Sequence, residues 1–83
     1  MRLAKHVKFR EEKFGGVLFE TRSEKVYTLT PTAAAVVQEV AAGRAPGEIA
    51  PTLAARFEAP DGAIEREVTA FLAELREKGL VED

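Results

Sequence analysis

The side chains that could perform chemistry are few and lie far apart in the sequence. The one histidine, His6, lies in a charged N-terminal segment, and the chain has no cysteine that could share a metal ion with it. Such an isolated histidine is predicted to be a solvated surface residue rather than a ligand or a base. Ser23 lies in the turn-like segment "RSEK" without the flanking residues of an activated nucleophile. Gly15 and Gly16 follow no strand-to-helix junction, so they are predicted to form a hairpin turn and not a phosphate-binding loop.

The carboxylates are numerous, but their pattern does not indicate an acid/base pair. The 14 Asp and Glu residues lie on predicted helix surfaces or in the mixed run "REEK". Nothing around them predicts a pocket that would shift a carboxyl pKa. We therefore predict that the chain is not an enzyme and uses no metal and no cofactor.

Length and composition limit the remaining possibilities. A chain of 83 residues, 46% hydrophobic and 31% charged, is predicted to fold as one domain over residues 1–83. A net charge of −2 provides no field to attract nucleic acid. The sequence contains neither the apolar core of a signal peptide nor 18 consecutive apolar residues, which predicts a soluble cytoplasmic protein with no membrane partner.

Period-two patterns in the first part of the chain predict three strands. Val7 to Glu12 alternates apolar and charged residues, "VLFET" follows the glycine pair, and Val26 to Leu29 follows the turn-like "RSEK". Short connections between these segments predict an antiparallel meander.

Helical patterns fill the rest of the chain. The first helix is predicted to begin at Pro31 with Thr30 as its N-cap and to end before Gly43. Its predicted buried face is Ala35, Val36, Val40 and Ala41.

A second helix is predicted within "APGEIAPTLAARFEA", with Pro46 at its start and Ile49, Leu53 and Phe57 on its buried face. Pro51 predicts a kink or a regular part that begins there, and we favour a distorted first turn.

The third helix carries its apolar stripe at Ile64, Val68, Phe71, Leu72 and Leu75, and its predicted end is a Schellman motif at Gly79 and Leu80. Strands followed by helices predict the α+β fold class.

The two edges of the predicted sheet differ in charge. The first strand and its flanks carry a dense set of charges that discourages pairing with another chain, namely Lys5, Lys8, Arg10, Glu11, Glu12 and Lys13. The third strand has only Glu24 and Lys25 at its start and no proline before Pro31. Packing in the core is the more usual role of such apolar strand residues, and Tyr27 and Leu29 are expected to face the core. The backbone edge can still remain open, so we predict that an extended peptide joins it as a fourth strand.

Three segments in this order, "YTLTPTAAAVVQEVAAG", "EIAPTLAARFEA" and "VTAFLAELREKGLV", resemble the PqqD family of small peptide chaperones, also called RiPP recognition elements. The resemblance covers Val7 to Val81. It implies a winged-helix-like fold of three strands and three helices. It also implies binding of the leader segment of a ribosomally made precursor peptide, which is presented to a modifying enzyme, frequently a radical S-adenosylmethionine enzyme.

The resemblance also implies where the leader would bind. In the family the leader joins the sheet beside the third strand, in the groove between that strand and the third helix. The strand contacts implied here are Lys25, Val26, Tyr27 and Thr28. The contacts expected from the third helix are Glu67, Val68, Phe71 and Glu74. Pro51 departs from the usual helical middle segment, and membership does not imply pyrroloquinoline quinone as the end product.

Two other functions are compatible with the same fold. A winged-helix DNA-binding protein needs clustered basic or amide side chains on one exposed helix face, whereas the second helix offers Arg56 beside Glu48 and Glu58. The third helix carries more acidic than basic residues. The open edge could also pair with its own copy, so a monomer or a weak homodimer is expected.

Overall fold

The computed structural model describes residues 1–82, which form a three-stranded sheet, three helices and a two-stranded ribbon. The α+β class and the sheet-then-helices order agree with the sequence prediction. The strands are β1 (Arg2–Leu3), β2 (Val7–Glu12), β3 (Gly15–Glu20), β4 (Lys25–Leu29) and β5 (Val81–Glu82). The helices are α1 (Pro31–Ala41), α2 (Pro46–Ala54) and α3 (Ala63–Glu77).

The main sheet is an antiparallel meander in the order β2-β3-β4. β2 has the bounds predicted from its alternation, but β3 begins at Gly15, so the prediction of a glycine turn is wrong. The turn is formed by Lys13 and Phe14 instead. Gly15 is needed inside the strand because its φ is 142° and a Cβ there would lie 2.2 Å from the Leu29 carbonyl oxygen. β4 begins at Lys25, one residue earlier than predicted.

Helix α1 begins as the sequence predicts. The Thr30 side chain accepts a hydrogen bond from the Ala33 N–H at 3.2 Å, and Pro31 is the first helical residue. The predicted burial of Ala41 is wrong, since Ala41 is exposed while Val37 is fully buried. The apolar stripe is thus centred one residue away from the predicted one.

Helix α2 continues through Pro51, so its regular part does not begin there. Its first turn is tight, because the Glu48 N–H donates to the Ala45 carbonyl three residues back, at 2.9 Å. The helix ends at Ala54, and Phe57 lies beyond it in the following turn, where it is half-buried.

Helix α3 ends in the predicted Schellman motif. The Leu80 N–H donates to the Leu75 carbonyl at 2.9 Å, the Gly79 N–H donates to the Arg76 carbonyl at 3.1 Å, and Gly79 has φ 71°. The chain is thereby directed into β5, which pairs antiparallel with β1. This ribbon between the two ends of the described chain was not predicted from the sequence.

The core lies between the inner face of the sheet and the three helices. Leu18 and Leu29 from the sheet pack with the buried stripes of the helices. The helical residues at the centre of this core are Val36, Val37, Val40, Ile49, Leu53, Val68 and Leu75. Helix α3 packs on α1 and α2 with one side. An adjoining flank of α3 lies beside β4, where the two elements line a small cavity.

Candidate functional site

Strand β4 has an unpaired edge. β3 is its one neighbour in the sheet among residues 1–82. Glu12 and Gly15 flank the two-residue turn, so their backbone groups exchange hydrogen bonds with each other. From this pair onward, hydrogen-bonded and non-hydrogen-bonded residue pairs alternate along β2 and β3. The Thr21 N–H donates to the His6 carbonyl at 2.8 Å, and this bond falls where the alternation predicts a hydrogen-bonded pair.

The hydrogen-bonding groups on the free edge belong to two residues. Lys25, Tyr27 and Leu29 face Glu20, Leu18 and Gly16, whose backbone groups point toward β4. The N–H and C=O groups of Val26 and Thr28 therefore point away from the sheet. The edge offers two donors and two acceptors.

The side chains of β4 divide between two faces of the sheet. Tyr27 is half-buried and Leu29 is buried on the helix side. Val26, 60% exposed, and Thr28 lie on the outer face beside Phe19 and Val17. The strand residues that the family resemblance implies thus lie together on one edge, where Val26 and Thr28 offer their backbone groups to the free edge and their side chains to the outer face.

A cleft of about 290 Å³ lies between α3 and the start of α1, next to the end of β4. A smaller cavity of about 20 Å³ continues along β4, and Phe71 and Glu74 line both. We call these two cavities together the groove. The larger part is lined by Thr30, Thr32, Ala33, Val36, Glu67, Ala70, Phe71 and Glu74. The smaller part adds Leu18, Tyr27, Leu29, Leu75, Lys78 and Leu80.

Three of the four predicted α3 contacts, Glu67, Phe71 and Glu74, line the groove, whereas Val68 does not. Val68 is 0% exposed and lies in the core, so its side chain offers no surface to a ligand. The prediction of Val68 as a contact is therefore corrected. The groove-lining flank of α3 repeats at intervals of three and four residues, one position away from the buried stripe.

Helix α1 also lines the groove, and the sequence analysis did not predict its residues as part of the site. Thr32 and Ala33 lie in the first turn of α1, directly after β4, and line the groove. One sequence signal could have identified them. A helix that starts one residue after the edge strand must place its first turn at the end of that edge.

The charges of the groove are unevenly paired. The Lys78 Nζ lies 3.5 Å from a carboxylate oxygen of Glu74, one helical turn away. In the part of the chain that the structure describes, neither Glu67 nor Lys25 has an ion-pair partner. The Glu67 carboxylate lines the groove near the end of β4, whereas the Lys25 ammonium group lies at the start of β4 and lines neither part of the groove.

The side chains considered for chemistry form a structural cluster at the turn before β4. The His6 side chain is 20% exposed and lies 3.7 Å from Glu20 and 3.2 Å from Arg22, so its prediction as a solvated residue is wrong. The Ser23 hydroxyl donates to the Glu20 carboxylate. This bond, aided by the backbone N–H groups of Arg22 and Ser23 and by nearby His6, lowers the pKa of Glu20, and partial desolvation opposes the shift. These groups hold the turn and do not border the groove.

Among residues 1–82, no group of histidine and carboxylate side chains is arranged to hold a metal ion. The same residues include no helix with the length and apolar character needed to cross a membrane.

The fold and the site define a class of protein: a small winged-helix-like α+β domain with a free sheet edge beside a groove. The chain belongs to the PqqD family, because the family model described as "Coenzyme PQQ synthesis protein D (PqqD)" matches residues 15–81. A search of curated proteins gives no match.

Two solved structures share this fold over nearly their whole length. The first is "TbiB1 in Complex with the TbiA(beta) Leader Peptide", with a TM-score of 0.84 and 22% identity, covering 99% of this chain and 95% of that one. The second is "Lasso peptide synthetase B1 complexed with the leader peptide", with a TM-score of 0.80 and 29% identity, covering 99% of this chain and 96% of that one.

Proposed function

We propose that this chain is a single leader-peptide-binding domain, residues 1–83, that works as an adaptor and performs no catalysis. It takes up the leader of a ribosomally made precursor peptide as a fourth strand along β4 and presents it to a modifying enzyme. The observation that carries the proposal is the free edge at Val26 and Thr28, which runs beside a groove lined by Phe71. Membership of the PqqD family and two structural neighbours whose names include a leader peptide support it.

The free energy of binding must come from both the edge and the groove. Four backbone hydrogen bonds at a net 0.5–1.5 kcal/mol each give about 2–6 kcal/mol. An affinity between about 1 μM and tens of nanomolar needs about 8–10 kcal/mol, after the cost of ordering the peptide. Side chains that contact Phe71 and Tyr27 in the groove must therefore supply the remainder and the selectivity.

The proposed contacts are the backbone of Val26 and Thr28, the side chains of Lys25 and Tyr27, and the α3 side chains Glu67, Phe71 and Glu74. A bound leader raises the local concentration of the rest of the precursor at the enzyme. Family resemblance favours a radical S-adenosylmethionine enzyme as that partner, whereas the second structural neighbour favours a lasso peptide synthetase system. The genes beside this one discriminate between the two, since each system encodes a different modifying enzyme.

DNA binding is the weaker candidate on the observed geometry. The Arg56 guanidinium lies 5.6 Å from the centre of the Phe57 ring, beyond the end of α2. The exposed residues of α3 include more glutamates than arginines, namely Glu65, Glu67, Glu74 and Glu77 with Arg66 and Arg76, so the helix offers no basic face for phosphate groups. A failure to retard duplex DNA at any salt concentration is the expected result.

The proposal is tested by titrating the ¹⁵N-labelled protein with leader peptides encoded beside its gene. We expect the largest amide shifts at residues 25–29 and along the groove flank of α3. Shifts confined to the β2 edge, or no binding by any encoded leader at 1 mM, about the limit of weak specific binding, would contradict it. Light scattering at several concentrations separates peptide binding from pairing of two β4 edges, because only self-pairing raises the mass of the free protein.

A further inference from the structure

Two charges of opposite sign lie along the path proposed for the leader, one in the groove and one at the start of β4. Glu67 lines the cleft beside Thr30, just past the end of β4, and Lys25 is the first residue of β4. Lys25 lies on the same face of the strand as Tyr27, because side chains two residues apart share a face. Among the residues described, both charges are without an ion-pair partner, whereas Glu74 is paired with Lys78.

We infer that the groove selects a leader segment with a basic, an apolar and an acidic side chain at alternate positions, in that order from N- to C-terminus. This inference rests on the proposed function and adds to it the chemical class of the ligand. The basic side chain lies toward Glu67, the apolar one packs between Tyr27 and Phe71, and the acidic one lies opposite Lys25.

The spacing of the groove matches that of a strand. Glu67 and Phe71 are four helical residues apart, about 6 Å along the axis. Two strand residues, which bring the next side chain to the same face, span about 6.8 Å. The peptide residues opposite Leu29, Tyr27 and Lys25 face the helices, because these three β4 side chains share the helix-side face.

The direction of the segment follows from the sheet. All the strand pairs that the structure describes are antiparallel, and antiparallel pairing is slightly more stable per residue than parallel pairing. An antiparallel leader begins opposite Leu29, near Glu67, and ends opposite Lys25. The basic residue must therefore precede the acidic one.

The test uses two short synthetic peptides of identical composition, one with the core Lys-Thr-Leu-Thr-Glu and one with the core Glu-Thr-Leu-Thr-Lys. Fluorescence anisotropy measures both affinities at about 20 mM salt, where exposed charges interact over a long range. We expect the first peptide to bind about three- to tenfold more tightly, since two exposed ion pairs contribute that much. At about 0.5 M salt the difference should fall below about twofold.

A charge-swap variant isolates the two residues. The double variant Lys25→Glu with Glu67→Lys should prefer the second peptide by a similar factor. The matched control is Lys8→Glu with Glu65→Lys, which makes the same exchange at exposed positions that do not line the groove. The control should keep the preference of the natural chain.

Each outcome decides the inference. A preference that inverts in the swap variant and persists in the control supports it. Equal affinities with amide shifts on β4 and α3 overturn the charge order but leave the proposed function standing. A preference for the second peptide in the natural chain, or no binding of either peptide, also overturns the inference, whereas the proposed function fails only if no encoded leader binds at this edge.

Discussion

Replacing Thr28 with proline tests strand addition directly, because the Thr28 N–H makes no hydrogen bond within the sheet. Thr28 lies opposite Val17 of β3, and the backbone N–H and C=O groups of Val17 point toward β2 instead. Proline is tolerated on an edge strand where the missing N–H would face solvent. Thr28→Pro should therefore leave the sheet intact while altering the edge proposed for the leader.

The expected loss can be worked from the four edge hydrogen bonds. Proline removes one donor, and its ring occupies space beside the strand, where a neighbouring backbone lies about 4.8 Å away. Losing one or two bonds costs about 1–3 kcal/mol, which corresponds to about 5- to 150-fold weaker leader binding. Thr28→Val is the matched control, because it keeps both the N–H and the β-branched shape.

Anisotropy titrations with a labelled encoded leader measure the affinities, and circular dichroism with thermal melting reports the fold. The control should bind within about twofold of the natural chain, since the Thr28 side chain lies on the outer face of the sheet. A folded Thr28→Pro variant with unchanged affinity would refute pairing along β4. Equal weakening by both substitutions would show that the side chain, and not the N–H, makes the contact.

Three further predictions concern the groove, the sheet and the turn. Phe71→Ala should weaken leader binding about tenfold and also lower the stability, because half-buried Phe71 packs against the core, whereas Val68→Ala should cost about 2 kcal/mol of stability and leave the affinity of the folded protein unchanged; chemical denaturation with peptide titration separates the two effects. Gly15→Ala should cost more than about 2 kcal/mol because of the close Leu29 carbonyl, whereas Gly47→Ala, which meets no atom within 4 Å, should be neutral or stabilising in the same denaturation experiment. The lowered pKa of Glu20 means that its contribution to stability is present above its ordinary value of 4.5 and is lost as the pH falls through the folded-state value. Melting temperatures measured from about pH 6 to about pH 3 should therefore fall more steeply for the natural chain than for Glu20→Gln.

The elements that the sequence predicts well are those with a local signal. The alternation from Val7 to Glu12 and the cap at Thr30 both depend on neighbouring residues, and the structure confirms them. The glycine pair was misassigned because glycine serves both turns and close backbone approaches. Only the packing of Gly15 against Leu29 discriminates between them. The β1–β5 ribbon joins residues about as far apart as the chain allows, so no local pattern could indicate it.

The site shows the same division between local and spatial information. The difference in charge between the two outer strands predicts β4 as the binding edge; β2 and β4 each have one neighbour in this sheet, so the choice between them stays a prediction. Which residues of α3 line the groove depends on their angular position around the helix. The spacing of the apolar residues in the sequence already indicates that position. Val68 is four residues from Ile64 and four from Leu72 and therefore belongs to the buried stripe. Glu67, Phe71 and Glu74 lie one position away, on the flank that faces β4.

The geometry of β4 predicts two contributions to the binding free energy of a peptide. Backbone hydrogen bonds do not depend on the peptide sequence, whereas side-chain contacts in the groove do. Backbone bonds to Val26 and Thr28 are available to every extended peptide, so they cannot discriminate between precursors. If a leader pairs with β4 as proposed, discrimination must arise from the positions of the peptide that face Tyr27, Phe71, Glu67 and Lys25. The main-chain edge needs only a strand at this place in the fold, whereas the groove side chains can vary with the precursor. The two solved neighbours keep this fold at 22% and 29% sequence identity, so the backbone arrangement does not require one particular sequence.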